Sequence, residues 1–355
     1  MGFFEEEKLT ALQAKENAQW IAFAPFVFQA TRVLRKRGIL KTVEAHPDGI
    51  ALEDIAKIVK LPVYGVRVLV EAGLGIGLLL RKDSLYRISK TSYFILHDEL
   101  TAANLDFTHD VCYKGLFNLE ESIANTKPEG LKVLGDWPTL YQGLASTLPE
   151  NIKESWFAFD HFYSDQAFPE VLPLVFRHPP ATLLDIGGNT GKWSMSCFEY
   201  DRQVHITILD LPGYVEQAKA RFTERGFGDR ISFHPMNILD ETLAFPKGFD
   251  AVWMSQFLDC FSEGEIISIL KRVRGALNAG GSIYILETFW DRQRFEASAF
   301  SLQQTSLYFT TIANGNSQMY DSEVFIRCVA AAGLQVVEQT DHIGIGHTLL
   351  VCKPA

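Results

Sequence analysis

Between Glu16 and Arg37 the apolar residues Trp20, Phe23, Val27 and Leu34 recur at helical spacing, and the run ends in the basic LRKRG with Gly38 as a C-cap. One long amphipathic helix is expected there. It carries more aromatic surface, in Trp20, Phe23, Phe26 and Phe28, than a lone helix can cover, so a partner surface is expected too. Two shorter helical patterns follow, LEDIAKIVKL and PVYGVRVLVEAG, divided at Leu61 and Pro62. The strand-like runs IGLLLRK and LYRIS then flank Asp83 and Ser84 as a hairpin. Helix, turn, helix and hairpin is a winged-helix order. Residues 98 to 178 are aromatic-rich and helical, broken at Pro128, Pro138 and Pro149, and can line a pocket.

From Ala181 the pattern changes to strands alternating with helices, which requires a doubly wound, mostly parallel sheet. The strand candidates are TLLDIG, HITILDL, ISFHPMN, FDAVWMSQFL, SIYILETF, LQVVEQT and GHTLLVCKP. The last two follow one another without a helix and predict an antiparallel hairpin at one edge. A further helix over Ile266, Leu270, Val273 and Leu277 starts at a capping box, Ser262 with Glu265. The division predicted is 1–100 as a winged-helix dimerisation domain, 101–178 as a helical connection, and 179–355 as the α/β domain.

Composition narrows the class. The 355 residues are 47% hydrophobic and 21% charged, as in a globular protein with a sizeable core. A net charge of -10 opposes a nucleic-acid partner, and the second helix of the winged-helix pattern, Pro62 to Ala72, has Arg67 as its one basic residue. Packing, often within a dimer, is the favoured use of that module. Five scattered cysteines, with no C-x-x-C pair, read as reduced thiols of a cytoplasmic protein without a zinc site. The acidic start MGFFEEEKL is unlike a signal peptide, and no apolar run reaches the roughly 18 residues of a membrane span.

Chemistry concentrates at three strand ends. In LLDIGGNTGKW an apolar strand leads through Asp185 to Gly187, Gly188 and Gly191 and then into a helix. Glycines let a ligand approach the backbone, and the helix start offers free amides to an anion. A nucleotide-like ligand fits there, but the spacing G-G-x-x-G differs from the G-x-G-x-x-G that cradles a pyrophosphate, so a dinucleotide is not the natural guest; a purely structural turn is the alternative. Asp210 of ILDLP lies 25 residues beyond Asp185, near the spacing at which such sheets offer an acid to ribose hydroxyls. In HPMNIL, Asn237 can read a purine amino group while Ile238 packs on the ring.

These runs, with FDAVWMSQFLDCFSEGEIISILKRV, AGGSIYILET and FIRCVAAAGLQVV behind an N-terminal winged helix, resemble the plant-type small-molecule O-methyltransferases and their bacterial relatives. The similarity spans about residue 16 to the C-terminus. It implies a seven-stranded Rossmann-like methyltransferase sheet, S-adenosyl-L-methionine as cofactor, and a homodimer through the N-terminal domain. Carried over by position, Asp185, Gly187 and Gly188 with their loop hold the methionine part, Asp210 and Leu211 the ribose, Asn237 and Ile238 the adenine. Ser255 stands where plant members have a lysine, and Gln256 and Tyr163 complete the cofactor set. The acceptor would be small and aromatic or phenolic, lying between the domains and walled by Trp156, Phe159, His161, Trp290 and Tyr308.

The family's fourth strand ends in a histidine that removes the acceptor proton; here that position is Asp259, in SQFLDCFSEGE. A glutamate that steadies the histidine aligns at or near Met319. An exposed aspartate, with a pKa near 3.9 against about 10 for a phenol, is a poor base, and burial among Phe257, Leu258 and Phe261 would raise it toward working range. Other readings of the position stay open. The acceptor can be already acidic, the methyl can go to a ring carbon beside a phenol, or His109, His161 or Asp165 can be the base. Asp259 can also be a polar residue ahead of a helix cap. Oxygen methylation is the principal expectation. Its rivals are carbon methylation of a phenolic ring and a non-catalytic winged-helix regulator that retains the fold.

Overall fold

The computed structural model describes residues 3–225 and 227–355. The chain forms two compact units, one up to Asp106 and one from Phe107 onward.

The first unit opens with a helix over Ala11–Lys36, longer at its start than the apolar spacing alone indicates, because Thr10 and Gln13 form a capping box there. Helices Ile39–Glu44, Leu52–Val59 and Val63–Gly75 follow. The strands are β1 (Ile50–Ala51), β2 (Leu79–Lys82) and β3 (Leu85–Ile88), in the order β1-β3-β2. Asp83 and Ser84 both take positive φ, 48° and 66°, as a two-residue hairpin turn requires. Leu34 is fully buried against Ile39, Leu40, Ile55, Val66 and Val70. The other end of the first helix is bare: Trp20 is 51% exposed and Phe26 72%.

The second unit holds a seven-stranded sheet: β4 (Thr182–Ile186), β5 (His205–Asp210), β6 (Ile231–Pro235), β7 (Phe249–Ser255), β8 (Leu277–Glu287), β9 (Leu334–Ile343) and β10 (His347–Pro354). Their order is β6-β5-β4-β7-β8-β10-β9, with only β10 running antiparallel to both its neighbours. Alternate residues feed the two faces. Leu184, Ile186, Val252 and Met254 pack under helices Glu263–Arg274 and Ser322–Ala331, while Leu183, Ala251 and Trp253 pack under helices Phe168–Val175 and Lys192–Tyr200.

The Ser262–Glu265 capping box forms in both directions, with Glu265 Oε2 accepting from Ser262 N at 2.8 Å. Ile266, Leu270 and Val273 behind it are fully buried, each contributing about 1.5–3 kcal/mol. Leu277 departs from the sequence reading: the helix stops at Arg274, and Leu277 begins β8 instead. The Ala276 carbonyl accepts from Gly248 and Phe249, so the chain is drawn into the sheet at that point.

From β4 the chain winds outward through β5 and β6, then returns to place β7 on the other side of β4. The strand order reverses between β4 and β7. Their C-terminal ends therefore splay helices in opposite directions and open a crevice, where ligands bind in open α/β sheets.

Candidate active site

The crevice is a cavity of about 330 Å³ at the ends of β4, β5 and β7, roofed by the helix Glu150–Asp165 and by the segment from Thr305 to Met319. Its floor is the glycine loop. Gly187 has φ 72°, and a Cβ on it would come within 2.3 Å of the Phe257 ring, so only glycine fits. A Cβ on Gly188 would meet Ile208 at 2.9 Å and the Asp185 carboxylate at 3.0 Å. Asp185 is buried beneath, its Oδ2 accepting from Ser194 Oγ at 2.5 Å, and burial pushes its pKa up to about 7.

Asp210 ends β5 and ties two loops together. Its Oδ2 accepts from Asn189 N at 2.8 Å and its Oδ1 from Leu211 N at 2.6 Å. Each oxygen keeps a lone pair for a hydroxyl donor, which suits a vicinal diol and repels a phosphate. Burial raises this carboxyl to about 6, against the opposing pull of those two amides. Beyond it, Met236, Asn237 and Ile238 follow β6; Asn237 Oδ1 accepts from Leu239 N at 3.1 Å, and Ile238 is buried. Ser255 Oγ and Asn189 Oδ1 are buried without a hydrogen-bond partner among the described residues, as groups that await a ligand would be. Gln256, at φ 46°, contacts His347 Nε2 at 3.1 Å through Oε1. The loop, the Asp210 carboxylate and these orphaned groups fit the nucleoside and amino-acid halves of S-adenosylmethionine.

Asp259 lies in the short turn Leu258–Cys260 after β7 and is 5% exposed. The Phe257 and Phe261 rings meet edge to face on either side of the turn, 4.9 Å apart. The carboxylate accepts from Cys260 Sγ at 3.4 Å, and burial raises its pKa to about 6 in spite of that contact. Glu287, at the end of β8, supports the turn from below. Its Oε1 accepts from Phe257 N at 3.0 Å and Leu258 N at 2.8 Å, and burial drives its own pKa well above the usual range.

Fourteen of the residues singled out in the sequence line this cavity: Asp185, Gly187, Gly188, Asp210, Leu211, Asn237, Ile238, Ser255, Gln256, Asp259, Trp156, Phe159, His161 and Tyr308. Tyr163 and Trp290 do not. The Tyr163 ring packs on Phe159 at 5.0 Å, and Trp290 joins the helical cluster around Leu302 and Met319. Trp156 Nε1 donates to Tyr308 Oη at 2.7 Å, which fixes two of the walls. Met319 lines the cavity where a glutamate was expected from the family pattern. Of the other base candidates, His109 is bound to Asp110 at 2.7 Å away from the cavity, and Asp165 is held by Lys192 at 2.6 Å. Burial and the neighbouring Lys192 lower His161 to about 4, so it is neutral at pH 7 and a weak base.

Sequence reasoning missed Glu287, Asp160, Lys192, Tyr141 and Trp193. A signal existed for the first two: an acid inside an apolar strand (SIYILETF) is buried only with a task or a partner, and one flanked by aromatics on a helix (FAFDHFY) stands out in the same way.

Fold and site together define a Rossmann-like enzyme that binds a nucleoside cofactor at the switch point of its sheet. Residues 15–86 match the Dimerisation2-like domain and residues 170–334 the O-methyltransferase domain. With these two domains the chain resembles the bacterial plant-type O-methyltransferases, and it is an S-adenosylmethionine-dependent methyltransferase. It is 22% identical to the L-tyrosine C(3)-methyltransferase of Streptomyces lavendulae over 90% of this chain and 86% of that one. It is 28% identical to the demethylspheroidene O-methyltransferase of Cereibacter sphaeroides over 50% of this chain and 46% of that one. Among solved structures, the O-methyltransferase NcsB1 of neocarzinostatin biosynthesis, in complex with S-adenosylmethionine and 2-hydroxy-5-methyl naphthoic acid, superimposes with a TM-score of 0.67 at 17% identity, covering 92% of this chain and 96% of that one.

Proposed function

We propose that this enzyme methylates the hydroxyl oxygen of a small phenolic acceptor, with Asp259 as the base. One observation carries the reading: a buried carboxylate and an aromatic wall share a cavity with the nucleoside-binding loop. When bound, S-adenosylmethionine supplies an electrophilic methyl on a sulfonium. Asp210 holds the ribose hydroxyls, Asn237 and Ile238 the adenine, and the Gly187 loop the methionine part. Trp156, Phe159 and Tyr308 hold the acceptor ring and exclude water.

Burial brings Asp259 to about 6, so it is ionised at pH 7 yet more basic than an exposed aspartate. The gap to a phenol near 10 is about four units, roughly 5 kcal/mol. Proton transfer to Asp259 is thus uphill before the methyl moves and becomes favourable as the oxygen bonds to the methyl and gains positive charge, so Asp259 acts within the transfer step. The test is to offer phenols with the cofactor, follow S-adenosylhomocysteine release, and locate the new methyl by NMR. No release with any phenol would refute the reading.

A second reading, methylation of a ring carbon next to the hydroxyl, is favoured by the carboxylate that stands in the place of the family's histidine, and the tyrosine relative named above methylates carbon. In that case Asp259 takes the hydroxyl proton as the ring carbon bonds to the methyl, and the proton then lost from that carbon restores the aromatic ring and its hydroxyl. The same NMR experiment separates the two, since an O-methyl and a C-methyl differ in carbon shift. The enzyme would work as a cytoplasmic homodimer, joined through the exposed Trp20, Phe23 and Phe26 of its first helix. No helix among the described residues is long and apolar enough to cross a membrane. A nucleic-acid partner is disfavoured by the acidic net charge, and small-molecule turnover rather than regulation by DNA is the role supported.

A further inference from the structure

The acceptor cavity contains one more acid than methyl transfer uses. Asp160, on the helix Glu150–Asp165, faces the cavity beside Trp156, Phe159 and Tyr308. It has no hydrogen bond and no ion pair among the described residues. The other charges that line the cavity are committed. Lys192 and Asp165 pair with each other at 2.6 Å, Glu265 is bound to Ser262 and Asn316, and Asp210 is bound to two backbone amides. Asp259 faces the same space, so two carboxylates stand in a mostly apolar enclosure with no free cation among the described residues to answer them. Burial, with the nearby Asp259 and Asp165 adding to it and the Lys192 ammonium pulling the other way, raises Asp160 to about 7.

A half-buried carboxylate in a mostly apolar cavity becomes costly once a ligand displaces the water from it, and it is kept where that ligand supplies the partner. The complement to an anion among aromatic faces is a cation, because ring faces attract positive charge and a carboxylate offers it a strong hydrogen bond. We propose that the acceptor is a phenol that carries a protonated amine, an aralkylamine or aromatic amino acid, and that Asp160 binds its ammonium while Asp259 attends to the reacting hydroxyl. This rests on the acceptor-site reading above and narrows its substrate class. Asp160 is then a specificity residue, fixing which end of the acceptor enters first. A phenol that lacks the amine would leave the carboxylate desolvated and alone, so discrimination follows from the unpaired group as much as from the bond gained.

The experiment is calorimetric titration of the full-length protein, saturated with S-adenosylhomocysteine, with tyramine and with 4-propylphenol, which has nearly the same shape and no charge. The wild-type protein is expected to bind tyramine at least tenfold more tightly. Asp160→Asn should erase that preference, leave 4-propylphenol affinity within about threefold, and leave S-adenosylhomocysteine affinity unchanged; Asp160→Glu should restore part of the preference. Equal wild-type affinities for the two phenols overturn this proposal and leave the acceptor site standing. Loss of S-adenosylhomocysteine affinity in Asp160→Asn with the tyramine preference intact also overturns it, and assigns the carboxylate to the cofactor. If neither phenol binds, the acceptor-site reading falls together with it. The wild-type comparison needs no variant, so a misfolded substitution does not remove the test.

Discussion

Glu287 holds the turn that carries Asp259: its carboxylate accepts from Leu258 N at 2.8 Å and from Phe257 N at 3.0 Å, reaching from the end of one strand to the loop after its neighbour. The two amides would otherwise be buried without partners. Burial favours the protonated form of Glu287, and its one committed oxygen can be supplied by an amide as well as by an acid.

Glu287→Gln is therefore expected to keep kcat within a few-fold of wild type. Glu287→Ala strands two amides and should cost about 1–3 kcal/mol of stability and most of the activity. Chemical denaturation and steady-state kinetics check both. A Gln variant as damaged as the Ala variant would show that the negative charge, rather than the hydrogen-bond geometry, matters.

Asp259→Asn should leave cofactor affinity unchanged and lower turnover by at least about a hundredfold, the scale of a positioned base. The pH profile follows from the direction of the shift. The base is the ionised form, and burial sets its pKa near 6, so kcat/KM should level off above that value and fall about tenfold per unit as the pH drops below it. A profile flat down to pH 5 would remove Asp259 from the proton chemistry and leave it as loop structure.

Asp210→Ala should abolish binding of S-adenosylhomocysteine in calorimetry. It removes the acceptor for a diol and also frees the amides of Asn189 and Leu211, which shape the loop. Retained micromolar affinity would place the cofactor elsewhere. Asp210→Asn, which keeps an oxygen for one amide, is expected to lose at least tenfold in affinity while preserving the fold.

Trp20→Asp combined with Phe26→Asp should give a folded monomer, measured by analytical ultracentrifugation. Both side chains are more than half exposed, so the substitutions remove apolar surface without touching the buried core. Deleting residues 1 to 37 is a blunter test, because Leu34 is fully buried and its loss would open the N-terminal core. A stable dimer of the double variant would refute the helix's role in assembly.

Much of the site was legible because its signals are local. The glycines after β4 are required by a turn that one strand and one helix define, and Asp210 ends the next strand at a spacing set by one β-α-β unit. The capping box at Ser262 depends on four consecutive residues. Leu277 was misplaced because an apolar residue at helical spacing also suits the start of a buried strand, and only the carbonyl of Ala276, taken up by Gly248 and Phe249, decides between them.

By itself, then, the sequence determined the order of elements, the mostly parallel sheet, the glycine loop after β4 and the acid that ends β5, since each follows from backbone propensity and apolar period over a few residues. Tertiary structure alone decided what gathers above that loop. It brought Asp160 from one helix, Asp259 from a turn and Lys192 from another helix to a common cavity, placed Glu287 beneath, and turned Tyr163 and Trp290 elsewhere. Hydrophobic periodicity tells which face of an element is covered, but not by which neighbour. That choice is made when the sheet reverses its strand order and the helices pack over the crevice it opens.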